Sequence, residues 1–139
     1  VLGGVTIPFH LGLLGHSDAD ALAHAAMDAM LGACALGDIG KLFPDTDPQY
    51  AGICSLTLLT QVLRRTLAQG YALSNLDATI VAQQPKLAPH IPAMRAKLAA
   101  AMACGQERIS IKATTPEGCG PEGALESITV RCVCSMEAI

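Results

Sequence analysis

The sequence predicts an α+β fold, a mixed sheet with helices packed on one face, and three observations carry that prediction. Residues 127–135 alternate, with Ile128, Val130, Cys132 and Cys134 on one face and Thr129, Arg131, Val133 and Ser135 on the other. Residues 55–69 carry Leu56, Leu59, Leu63 and Leu67 at helical spacing and end at Gly70. The order of elements is strand, helix, helix, strand, helix, strand, strand, with no linker or repeat, which describes one domain over residues 1–139.

Taken in order, residues 1–7 read as a strand ended by Pro8. Residues 17–34 read as the first helix, with Ser17 as N-cap, Asp20 three positions later as a short capping-box partner, and Gly37 as the stop. Residues 38–54 read as a loop rich in Gly, Pro and acidic residues. A strand over 71–82 follows the second helix and is strongest at Ala78-Thr-Ile-Val-Ala82. Pro85, Pro89 and Pro92 stiffen the next loop, and Pro92 suits the first position of a third helix over 92–103. Strands over 109–114 and 127–135 complete the fold.

Composition excludes several functions. Apolar residues make up 51% of the 139 and charged residues 15%, the opposite of a disordered chain. The longest stretch free of charge and histidine, residues 48–63, is shorter than the roughly 20 apolar residues of a membrane-spanning helix. The mean hydropathy of +0.41 is instead what surface buried between subunits would give. A net charge of −3 and only four aromatics, Phe9, Phe43, Tyr50 and Tyr71, argue against nucleic-acid binding. The six cysteines lack C-x-x-C spacing and read as small buried hydrophobes in a reducing compartment. The chain begins at Val1 rather than Met, which reads as a fragment.

The first helix holds the most chemistry. Asp20, His24 and Asp28 stand four apart and stack as one stripe on an Ala-rich helix. A carboxylate beside an imidazole fixes its tautomer and raises its basicity, as at metal-bound histidines. The same stripe also makes an ordinary buried histidine satisfied by its neighbours, and the residues leave both readings open. His16, just before the cap, sits where anions meet helix amides, or is a surface histidine. Asp38, Asp45 and Asp47 gather around Gly40 and Pro44, as a metal or hydroxyl site or as a solvated acidic turn. Gln83-Gln-Pro-Lys-Leu-Ala-Pro89 leaves a strand end and offers backbone groups to a base and Lys86 to a phosphate, unless it is an ordinary loop. Lys112-Ala-Thr-Thr-Pro-Glu-Gly118 leaves another strand end with two hydroxyls and a carboxylate, or is a polar connection.

Together, His16-Ser-Asp-Ala-Asp, Leu36-Gly-Asp-Ile-Gly-Lys-Leu-Phe-Pro-Asp-Thr-Asp-Pro48, Ala82-Gln-Gln-Pro-Lys-Leu-Ala-Pro-His-Ile-Pro92 and Lys112-Ala-Thr-Thr115 resemble one family. It is the 2-C-methyl-D-erythritol 2,4-cyclodiphosphate synthase family of the non-mevalonate isoprenoid pathway, and the resemblance covers the whole chain. It implies a homotrimeric phosphorus–oxygen lyase with active sites between subunits, in a bacterial cytoplasm or a plastid. The implied substrate is 4-diphosphocytidyl-2-C-methyl-D-erythritol 2-phosphate, and the implied products are the cyclic diphosphate and CMP.

By matching positions, the resemblance makes His24 a ligand of zinc or another divalent transition metal, and Glu117 a ligand of magnesium or manganese. It puts His16, Ser17, Asp38, Ile39 and Gly40, with Phe43, Pro44, Asp45, Thr46 and Asp47, around the methylerythritol and its phosphates. It assigns the cytidine diphosphate pocket of the neighbouring subunit to Ala82, Gln83, Gln84, Pro85, Lys86, Leu87 and Ala88. Thr114, Thr115, Pro116 and Glu117 complete that pocket, and His16 and Thr115 match the family's transition-state stabilisers.

Two departures stand out. The family's Asp-x-His pair, which gives zinc two more ligands, would precede Val1, and His10 occupies neither position. The Phe and Arg that the family usually has near its trimer axis align with Pro121 and Ala124, while Glu126 still fits. The rival readings are a non-catalytic trimeric cytidine-nucleotide-binding module that has lost its zinc and, from the His and Asp cluster alone, a metal-dependent phosphohydrolase.

Overall fold

A computed structural model describes residues 1–9 and 19–139. The expected Ser17 cap and the candidate residues His16 and Ser17 lie outside the described residues, as does His10.

Three strands form one mixed sheet in the order β2-β1-β3. Strand β1 (Tyr71–Val81) runs parallel to β2 (Ile109–Thr114) and antiparallel to β3 (Thr129–Ala138). Helix α4 (Ile91–Ala101) makes the crossover that a parallel pair requires. Helix α1 (Ala21–Ala33) packs on β3 and β1, α3 (Ser55–Ala68) packs on α1 and β1, and α4 covers β2. The buried face of the sheet is made by Leu73, Leu76, Ala78 and Ile80 with Ile109 and Ile111, and it meets Met27, Met30, Leu59 and Leu98 in one core. No helix among the described residues is long and apolar enough to cross a membrane.

Strand β1 buries Leu73 and Leu76, three apart, because a bulge between Leu73 and Asn75 switches the inward face. The bulge exposes carbonyls of Leu73 and Ser74, and the Arg108 guanidinium donates to both, at 3.2 and 3.1 Å. The alternation expected for the last strand holds. Val130, Cys132 and Cys134 lean on the core, and Val133 is 73% exposed on the opposite face.

Four expectations need correction. Residues 1–7 are not a strand: Leu2 and Val5 pair across a tight turn at Gly3 and Gly4, whose φ values are +57° and +75°. A side chain at position 3 would meet the Met94 Cβ at 2.8 Å, so glycine is needed there for space as well as conformation. Helix α1 begins at Ala21, after Asp20 as N-cap, not at residue 17. Residues 38–54 are not all loop, since α2 (Ile39–Leu42) and a 3-10 turn (Pro48–Tyr50) form there, each capped by its own aspartate. The cysteines are not buried: four are half-buried, Cys54 and Cys119 are exposed, and all six are free thiols. Partial burial still pushes the Cys132 thiol up to about 12, with Cys134 and Asp77 adding to the effect. Such a thiol stays protonated and unreactive at neutral pH.

Candidate active site

The site residues divide into two groups in the chain. The first lines a cleft of about 300 Å³ between α1, α2 and α3, formed by His24, Ile39, Gly40, Phe43, Asp45, Tyr50 and Leu58. Phe43 and Tyr50 meet edge to face, with ring centres 5.3 Å apart, and so join the two ends of the acidic turn.

The stripe of Asp20, His24 and Asp28 is not built as expected. Asp20 stands before the helix in extended backbone, and its fully buried carboxylate accepts the amides of Gly3, Gly4 and Ala23 at 2.8, 2.7 and 3.0 Å. Asp28 accepts the Ile39 amide at 2.9 Å. The His24 Nε2 lies 3.0 Å from the hydroxyl of Ser55, the buried first residue of α3. Sequence reasoning missed Ser55 because the pair is 31 residues apart and exists only once α1 packs on α3. Tyr50 and Leu58 were missed for the same reason.

Of the three clustered carboxylates, two serve the backbone. Asp38 accepts the Lys41 amide at 3.0 Å and starts α2, and Asp47 accepts the Gln49 amide at 3.1 Å. Asp45 lines the cleft, and Pro44 and Thr46 complete the turn around it. Among the described residues no three of His, Cys, Asp and Glu come together as a metal-binding group. The described residues therefore do not by themselves make a zinc site.

The second group sits where the parallel strands β1 and β2 end, with Val81 beside Thr114. Openings at the carboxyl ends of parallel strands are natural ligand sites. The Ala82 amide donates to the Thr114 carbonyl at 3.1 Å, and the Gly118 amide donates to the Gln83 side-chain oxygen at 2.8 Å. The two expected nucleotide segments are thus tied together. Leu87 is buried and anchors the loop after the cis Gln84–Pro85 bond, while Gln84, Lys86 and Ala88 are exposed. Thr114 and Thr115 are exposed residues, and Thr115 Oγ1 accepts the Glu117 amide at 3.4 Å. Glu117 and Gly118 both take positive φ, +53° and +77°, so the chain turns sharply after Pro116. The lining of the His24 cleft includes no residue of 82–88 or 114–117.

The sequence model of the YgbB family matches residues 1–137. The chain belongs to the YgbB family. Its relatives include proteins named 2-C-methyl-D-erythritol 2,4-cyclodiphosphate synthase. That of Clostridium beijerinckii is 52% identical over 139 residues, spanning 100% of this chain and 88% of the relative. That of Geotalea uraniireducens is 56% identical over 137 residues, spanning 99% and 87%. Among solved structures, a bifunctional IspDF from Campylobacter jejuni superposes with a TM-score of 0.96 at 40% identity. This YgbB-family chain is covered completely and spans 38% of that bifunctional chain. A 2C-methyl-D-erythritol-2,4-cyclodiphosphate synthase in its CDP-bound form superposes with a TM-score of 0.89 at 39% identity, covering 99% of this chain and 89% of that one.

Proposed function

We infer that this protein converts 4-diphosphocytidyl-2-C-methyl-D-erythritol 2-phosphate into 2-C-methyl-D-erythritol 2,4-cyclodiphosphate and CMP. The observation that carries this reading is the 52% identity, over the whole chain, to a synthase of that name. The site chemistry is consistent with it. The nucleophile is the substrate's own 2-phosphate, ionised near neutral pH, so no protein base is required. One of its oxygens bonds to the β-phosphorus, the bond from that phosphorus to the bridging oxygen breaks, and CMP leaves with the electron pair. The barrier lies in bringing two anionic phosphates together, which positioning and charge neutralisation relieve.

In this reading the His24 cleft, with Ile39, Gly40, Phe43 and Asp45, holds the methylerythritol end. The loops at the β1 and β2 ends hold the cytidine diphosphate, with Lys86 on a phosphate and the Thr115 hydroxyl donating as charge moves. His16 joins Thr115 in that role by family resemblance. His24 would give one ligand to zinc and Glu117 one to magnesium or manganese.

The two groups work together when they come from adjacent subunits of a homotrimer of about 43 kDa, three times the 14.3 kDa chain. Their separation within one chain supports this arrangement, as does Val133 lying exposed on the uncovered sheet face. Phosphorus NMR of the products, with zinc and magnesium supplied, tests the function. Equal amounts of CMP and a cyclic diphosphate are expected. Ring-opened phosphates would mark a phosphohydrolase, and CDP binding without turnover would mark a nucleotide-binding module.

A further inference from the structure

Asp28 has no role in the chemistry described so far, yet it joins two walls of the cleft. It stands on α1 one turn beyond His24, exposed, and its Oδ1 accepts the Ile39 amide at 2.9 Å. Ile39 is the first residue of α2, and both Ile39 and Gly40 face His24 across the cleft. Helix α2 has four residues and none is fully buried. One turn is too short for helical cooperativity to hold it in place. Its own cap, Asp38, binds the Lys41 amide and shapes the turn without tying it to α1. The described side-chain hydrogen bond from α1 to this wall is that of Asp28.

We propose that Asp28 is a positioning residue, fixing the Ile39–Gly40 wall at its distance from His24 and so the fit of the substrate's methylerythritol phosphate end. This rests on the reading of the cleft given under Proposed function. The carboxylate acts as an acceptor for a backbone amide, so an asparagine oxygen can replace it and an alanine cannot.

The test compares wild type, Asp28→Ala and Asp28→Asn by steady-state kinetics, CDP titration and thermal unfolding. Asp28→Ala should raise KM for the cytidylyl substrate about tenfold, the scale of one lost charge-assisted hydrogen bond, with kcat much less affected. CDP affinity should stay within about twofold of wild type, because CDP is held by the strand-end loops. Asp28→Asn should bring KM back to within about threefold of wild type. An unchanged KM in Asp28→Ala overturns the proposal. So does a CDP affinity that falls in step with KM, or an Asn variant as impaired as the Ala variant, since either marks general damage to the fold. A wild type that releases no CMP overturns the functional reading itself, whatever the variants do.

Discussion

The His24 cleft and the strand-end loops are held in different ways. The cleft lies among helices whose starts are tied by carboxylates that accept backbone amides, Asp20 from Gly3, Gly4 and Ala23 ahead of α1 and Asp28 from Ile39 at the start of α2. The loops 82–88 and 114–118 extend from paired strands and are tied by one backbone bond and one Gln83 side-chain bond. Their chemical groups, Lys86 and Thr115, are exposed and spend little on the fold. Substitutions on the cleft side should therefore reach stability, and substitutions at the loops should reach binding and turnover alone.

The largest effect is expected at Asp20. Removing a fully buried carboxylate strands three amides, each costing on the order of 1–3 kcal/mol if left unsatisfied. Asp20→Ala should lower stability by more than about 3 kcal/mol, read as a lower urea midpoint at unchanged slope. A midpoint equal to wild type would show that the glycine turn is held by something else.

At the loops, Thr115→Ala should leave the urea midpoint unchanged and slow kcat by roughly ten- to a thousand-fold, the range for loss of one donor to a developing charge. Lys86→Ala should mainly weaken binding, with KM and the CDP Kd both rising about tenfold, since a flexible point charge serves ground and transition states alike. If Thr115→Ala keeps kcat and loses CDP affinity, Thr115 is a binding residue only.

The smallest effect is expected at the ion pair on the open sheet face, Lys112 Nζ to Asp77 Oδ2 at 2.7 Å. The Lys112 hydrogen bond holds the Asp77 carboxyl below its usual range, helped by Ser110 and opposed by partial burial. A depressed folded value means the stabilisation is present above the unfolded carboxylate pKa of about 4 and is lost as pH falls through the folded value. With both side chains about half exposed, solvent screens the pair. Lys112→Ala should cost less than about 0.5 kcal/mol at pH 7, and the difference should vanish in acid.

Local pattern made some of this legible. Strand β2 falls where its alternation puts it, and β3 shows the expected faces because a period of two survives any tertiary context that covers one side. Pro92 sits in the first turn of α4, because its fixed φ suits a helix start there and nowhere later. The misses share one cause. A capping rule reads Ser17 and Asp20 by spacing along the chain, whereas Asp20 is held by glycine amides 16 and 17 residues away. Gly3 and Gly4 fold back a segment whose apolar residues read as a strand. The partner of His24 was equally hidden, since Ser55 looks like no more than a helix start. The strand-end loops were legible as motifs, and their adjacency follows from the parallel pairing of β1 with β2.

The central claim is that the cleft of one subunit works with the strand-end loops of the next, and mixing two crippled variants tests it most directly. His24→Ala disables the cleft and Thr115→Ala disables the loops, and each alone should run at about a tenth of wild-type rate or less. Co-refolded in equal amounts, random trimers should regain about one quarter of wild-type CMP release, because most are mixed and each mixed ring has one site built from two intact halves. A mixture that stays at the mean of its two parents would contradict the account, because each site would then lie within one chain.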